Sequence, residues 1–143
     1  MTEREIPSIR DVCVGNVMTE AVETIGADRT ASSAANRLFE SDIGSLLVGV
    51  ESGTPDGIIT ESDFVELAAT EQEPTTVTVA DCMSAPVVTA STDETLGDVA
   101  TLMTEENIKK VPVFDETEGA VAGMVTTTDI ATYLPVGEYH PER

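Results

Sequence analysis

Val14-Gly15-Asn16-Val17-Met18-Thr19 returns later in the chain as Val79-Ala80-Asp81-Cys82-Met83-Ser84. The two stretches begin a duplication. A shift of 65 residues carries Met18 onto Met83, Val12 onto Val77, Thr24 onto Thr89, Asp28 onto Asp93, and Thr30 onto Thr95. It also carries Ala35 onto Ala100, Ile43 onto Ile108 and Val48 onto Val113. One extra residue then enters. From there the shift is 66, so that Gly57-Ile58-Ile59-Thr60 meets Gly123-Met124-Val125-Thr126 and Asp63 meets Asp129. The slip falls around Ser52-Gly53-Thr54-Pro55-Asp56-Gly57. Such residues make a turn, where a change of length is tolerated. The chain is written twice.

Each copy predicts the same elements. Ala31, Ala34, Ala35, Leu38 and Phe39 form the apolar stripe of an amphipathic helix, and Leu96, Val99, Ala100 and Met103 repeat it. Asp28 and Asp93 precede these helices and are expected to cap them. Apolar runs at 45–50 and 57–60, and at 110–114 and 122–126, read as hairpins around glycine-containing loops. Short extended stretches at 22–25 and 87–90 come first, and a second helix begins near Asp63 and near Asp129. The fold class is α+β (mixed α/β), two β-α-β-β-α repeats, each after a leading turn. The repeats span 12–70 and 77–135, joined by a polar linker at 71–76, with 1–11 and 136–143 expected as flexible ends. At about 55–60 residues each copy is marginal alone, so the two are expected to pack together.

The charge excludes several classes of function. The 143 residues carry 27 acidic and 7 basic side chains, a formal net charge of −20. Such a field repels nucleic acid phosphates and anionic lipid. The acids are dispersed along the chain, a pattern that resembles the proteins of halophiles, where salt screens self-repulsion; a generally acidic mesophilic protein is the other reading. Cys13 and Cys82 lie apart in apolar stretches and the single histidine is His140, so no usual zinc site or Cys–His or Ser–His catalytic set assembles. No apolar run reaches the ~20 residues of a membrane span, and the start lacks a signal-peptide pattern. The expectation is a cytoplasmic protein that is not an enzyme and requires no cofactor.

The two sets of motifs resemble the CBS domain. They are Val14–Thr19, Thr24, Ala31–Phe39, Ile43–Val48 and Gly57–Asp63, then Val79–Ser84, Thr89, Leu96–Met103, Ile108–Val113 and Gly123–Asp129. The resemblance covers about residues 12 to 135. It implies a pseudo-twofold pair of repeats with two clefts, and pairs that often associate further into a homodimer. Its ligands are adenosyl compounds: AMP, ADP, ATP, sometimes S-adenosylmethionine. With no enzyme or transporter attached, the regulated protein is expected to be a separate, unknown chain. The alternative is an interaction module with vestigial pockets.

The chemistry of Thr-x-x-Asp fits such ligands. A carboxylate only accepts hydrogen bonds, so one Asp can grip both ribose hydroxyls in charge-assisted bonds. Asp63 and Asp129 are the candidates, with Thr60, Ser62, Thr126 and Thr128 offering hydroxyls to phosphate at a helix start. The same spacing also suits a plain helix cap. The resemblance implies that each cleft takes its Asp from one repeat and the hairpin start from the other. The first set is then Thr60, Ser62, Asp63, Thr89, Ile108, Lys109 and Lys110. The second is Thr24, Ile43, Gly44, Ser45, Thr126, Thr128 and Asp129. Lys109 and Lys110 are the only lysines, and they fall where nucleotide-binding relatives carry basic residues. The other reading of the pair is a charge that blunts a strand edge. The matching Gly44-Ser45 is uncharged, so the second set is expected to prefer a less anionic ligand. Two departures, Ala21 against Pro86 and Leu47 against Pro112, fall in the first repeat.

Overall fold

The first copy folds as β1 (Thr24–Ile25), α1 (Ala31–Ser41), β2 (Ser45–Val48), β3 (Gly57–Thr60) and α2 (Glu61–Ala69). The second follows as α3 (Val79–Cys82), β4 (Ala90–Ser91), α4 (Leu96–Glu106), β5 (Lys110–Asp115), β6 (Ala120–Thr126) and α5 (Thr127–Ala131). A turn of 3-10 helix at Val14–Asn16 precedes them. This computed structural model describes residues 8–20, 22–50 and 53–133. Ala21 and the expected flexible end at 136–143 lie outside the described residues.

Threonine, not aspartate, opens the long helices. The Thr30 hydroxyl accepts from the Ser33 N–H at 3.0 Å. Thr95 makes a full capping box, accepting from the Asp98 N–H at 3.1 Å while Asp98 accepts from the Thr95 N–H at 3.1 Å. The expectation that Asp28 and Asp93 cap these helices is corrected: both sit two residues too early, in the turn that leads to the cap. Each helix then stops on a left-handed residue, Asp42 at φ 55° and Asn107 at φ 57°. Short polar side chains of this kind tolerate that conformation best after glycine.

The strands form two three-stranded sheets of the same order, β1-β2-β3 and β4-β5-β6. β1 runs parallel to β2, and β2 pairs antiparallel with β3, Ser45 opposite Thr60. The copies differ at one rung. Leu47 N–H donates to the Glu23 carbonyl at 3.0 Å, and Thr24 stands opposite Leu47. Pro112 occupies the matching place in β5 and has no N–H to give. The parallel pairing of the second copy therefore begins one residue later, at Ala90 opposite Val113. Thr24 is thus a strand residue, while its counterpart Thr89 lies just outside one.

Two compact units result, and neither coincides with a sequence copy. One comprises 21–87 and 119–121; the other comprises 1–20, 88–118 and 122–143. The leading turn of each copy is built into the unit that holds the other copy's helices. Val79 is fully buried with Ile25, Ala34, Leu38, Leu46, Val48 and Ile59. Val14 is fully buried with Leu96, Val99, Met103, Val111, Val113 and Val125. The backbone repeats the exchange bond for bond. Val79 N–H donates to Arg29 O at 2.8 Å and Val14 N–H to Glu94 O at 2.8 Å. Ala31 N–H donates to Val77 O at 2.8 Å and Leu96 N–H to Val12 O at 2.9 Å. The start of the chain, expected to be free to residue 11, is anchored earlier. Ile9 packs on the Val14 cluster, and its carbonyl accepts from Gly97 N–H at 2.8 Å. No helix among the described residues is long and apolar enough to cross a membrane.

Candidate functional site

Each Thr-x-x-Asp sits where a sheet strand turns directly into a helix. Thr60 ends β3 and is the N-cap of α2, which places Asp63 at the third helical position. Thr126 ends β6 and caps α5, which places Asp129 at the same point. The Thr60 N–H donates to Asp63 Oδ2 at 2.8 Å, and the Thr126 N–H donates to Asp129 Oδ2 at 2.9 Å. Both carboxylates are therefore partners in a helix cap, as the spacing allowed. The cap uses one oxygen of each. A carboxylate offers about four acceptor positions, so the cap and a ligand contact do not exclude one another.

The two carboxylates differ at their other oxygen. Ser84 Oγ donates to Asp63 Oδ1 at 2.8 Å. Thr19 matches Ser84 in the sequence, yet among the described residues no hydrogen bond joins Thr19 to Asp129. Ser84 belongs to neither predicted set. Its sequence signal was its position as the last residue of the repeated Val-to-Met-Ser motif, but its partner lies 21 residues away, beyond any local pattern. Asp63 also borders a small pocket of ≈ 130 Å³ with Glu66, Asp81, Cys82 and Ser84. Burial, with Asp63 and Asp81 close by, pushes the Cys82 thiol above its ordinary range. The shift favours the thiol over the thiolate.

The predicted residues divide between the units. Thr24, Ile43, Gly44, Ser45, Thr60, Ser62 and Asp63 belong to one. Thr89, Ile108, Lys109, Lys110, Thr126, Thr128 and Asp129 belong to the other. Each unit brings the hairpin start of one set beside the Thr-x-x-Asp of the other. Ser45 stands opposite Thr60 across the β2–β3 ladder. The Lys109 carbonyl accepts from the Thr127 N–H at 3.1 Å. Ser62, Thr128 and Lys109 are exposed, and Lys110 is half-buried. Among the described residues one ion pair is present, Arg37 with Glu23 at 2.7 Å. Neither lysine is in it, although the chain has 27 carboxylates to offer. No group of His, Cys, Asp and Glu among the described residues is placed to hold a metal ion.

The family model of the CBS domain matches residues 14–70 and 79–136. An uncharacterized protein of Methanopyrus kandleri is 34% identical over 128 residues, covering 89% of this chain and 65% of the relative. The chain thus spans just under two thirds of that protein. A CBS-domain protein of Agrobacterium tumefaciens has a crystal structure that superposes with a TM-score of 0.77 at 26% identity, covering 85% of this chain and 98% of that one. The CBS domain pair of protein MJ0100, solved in complex with 5′-methylthioadenosine and S-adenosyl-L-methionine, superposes with a TM-score of 0.75 at 30% identity, covering 85% and 94%.

Proposed function

Because the chain belongs to the CBS domain family, with two copies of the domain, we propose that it is a non-catalytic sensor that binds an adenosyl ligand and regulates a separate protein. The observation that carries this is the carboxylate at the start of α2 and of α5. Each is fixed at one oxygen by a backbone N–H, in a geometry that lets a carboxylate also accept from ribose hydroxyls. The candidate residues named from the sequence are the proposed contacts. Lys109 and Lys110, two cations with no carboxylate partner among the described residues of a chain of net charge −20, favour a phosphorylated ligand: AMP, ADP or ATP. A second reading, S-adenosylmethionine or 5′-methylthioadenosine, is favoured by the likeness to the MJ0100 pair. The adenosine diol is common to both readings.

Thermal denaturation in concentrated KCl tests the proposal, with AMP, ADP, ATP, S-adenosylmethionine and 5′-methylthioadenosine added separately. At a ligand concentration a hundredfold above Kd, about 2.7 kcal/mol of stabilisation is expected. Asp63→Ala should remove most of the rise. Replacing both lysines by glutamine should weaken the phosphorylated ligands and spare 5′-methylthioadenosine. The absence of any shift across the panel would leave the interaction-module reading in its place.

We also infer a homodimer formed through the first copy's helices. Phe39 on α1 is 84% exposed and Val65 on α2 is 69% exposed. The residue matching Phe39 in the second copy is Thr104, so this exposed aromatic has no counterpart there. Large exposed aromatics of this kind mark interfaces. Phe39→Asp is expected to give a monomer by sedimentation in high salt, with unchanged circular dichroism. A variant that sediments as the parent does would discard the interface.

A further inference from the structure

Among the described residues, Asp63 is held at both of its oxygens before any ligand arrives, and Asp129 at one. Oδ2 of Asp63 accepts from the Thr60 N–H at 2.8 Å, with the Thr60 hydroxyl more distant at 3.4 Å. Oδ1 accepts from Ser84 Oγ at 2.8 Å. Ser84 is itself fixed in place by a reciprocal backbone pair with Ile58, its N–H donating at 2.8 Å and its carbonyl accepting at 3.0 Å. Thr19 repeats that backbone pair with Met124, at 2.9 Å in both directions. The backbone around Ser84 and Thr19 is therefore bonded alike, and the contact to the carboxylate differs in the side chain. Serine turns freely about its Cα–Cβ bond, while a β-branched threonine is restricted there.

We propose that Ser84 is a positioning residue, which fixes the plane of the Asp63 carboxylate so that Oδ1, beside the Ser84 hydroxyl, and Oδ2, once the Thr60 hydroxyl turns away from it, each present one acceptor position to a ribose hydroxyl. Two donors at opposite ends of a carboxylate stop it rotating about its terminal bond. The ordering entropy of that rotation is then lost on folding, not on binding. A ligand with both hydroxyls gains from this, because it needs both oxygens in place at once. A ligand with one hydroxyl needs only one oxygen and gains little. Ser84 thus tunes selectivity for ribose over deoxyribose at Asp63, and Asp129 lacks the device. The inference rests on the ribose role of Asp63 proposed above.

The test uses the full chain in concentrated KCl, in an Asp129→Ala background so that Asp63 alone takes the diol. Calorimetric titration compares AMP with 2′-deoxy-AMP, and 5′-methylthioadenosine with its 2′-deoxy analogue. Ser84→Ala is expected to weaken the ribose forms by about fivefold and to leave the deoxy forms within about twofold. Ser84→Thr should behave like Ser84→Ala, since threonine fails to make the contact at the matching place. Ser84 is exposed, so the melting temperature serves as a control and should stay near that of the parent. Equal weakening of ribose and deoxy forms, or no change in either, overturns the positioning role and leaves Asp63 as a ligand contact. If the background protein binds none of the four compounds, the ribose role and the positioning role fall together.

Discussion

Val79→Asp is expected to unfold the first copy of the duplication, although Val79 belongs to the second. Its side chain is fully buried among Ile25, Leu38, Leu46 and Ile59. A carboxylate there would lie among apolar side chains, and the cost of burying it is several kcal/mol. Domains of this kind have about 5–15 kcal/mol in total, so the change consumes much of the stability. Val79→Ala is the milder probe. Deleting buried methyl groups costs on the order of 1–3 kcal/mol, part transfer and part cavity. Hydrogen exchange of that variant should show protection falling in α1, β2 and β3. Val14→Ala should do the reverse, with the loss in α4, β5 and β6. Protection lost in the substituted residue's own copy would contradict the exchange of leading turns.

That exchange could not be read in the sequence, and the reason is physical. Apolar periodicity says which face of an element is buried, but not which of two similar cores receives it. Val14 and Val79 carry identical local signals, so the correct partner and the wrong one look alike. The helices, hairpins and the α+β class were legible because their stripes and turns are local. The capping residue was nearly legible: Asp28 and Thr30 are both good caps, and the backbone chose the one adjacent to the first helical residue. The one-residue delay of β4 also had its cause in view, in Pro112. It needed the rung from Leu47 to Glu23 before the missing N–H had a meaning. At the site, the sequence picked out Asp63 and Asp129 because both copies repeat them. It did not separate the two. Their difference depends on Ser84, a residue whose hydroxyl finds Asp63 only after the chain has folded.

Gly123→Ala is expected to lower stability by about 2–3 kcal/mol through overpacking alone, and Gly57→Ala by roughly half as much. Neither glycine needs its freedom of backbone angle; each is small because a methionine and a backbone carbonyl lie on it. A Cβ at Gly57 would meet the Met83 sulfur, with Met83 Cγ at 2.9 Å and the Ser84 carbonyl at 3.0 Å. A Cβ at Gly123 would meet Met18 Sδ at 2.6 Å, Met18 Cγ at 2.7 Å and the Thr19 carbonyl at 2.7 Å. The methionine end can swing aside, since its three torsions make it adaptable. The carbonyl cannot. Thr19 O accepts from Met124 N–H at 2.9 Å, and Ser84 O from Ile58 N–H at 3.0 Å, so moving either breaks a bond that joins a leading turn to its sheet. The tighter carbonyl contact is at Gly123, which is why the larger loss belongs there. Urea denaturation in concentrated KCl measures both, because urea leaves the charge screening unchanged. Adding Met18→Ala to Gly123→Ala should recover only part of the loss, since the carbonyl contact remains. Full recovery would show that the methionine alone sets the limit. An unchanged midpoint for Gly123→Ala would show that the leading turn can lift from its sheet without cost.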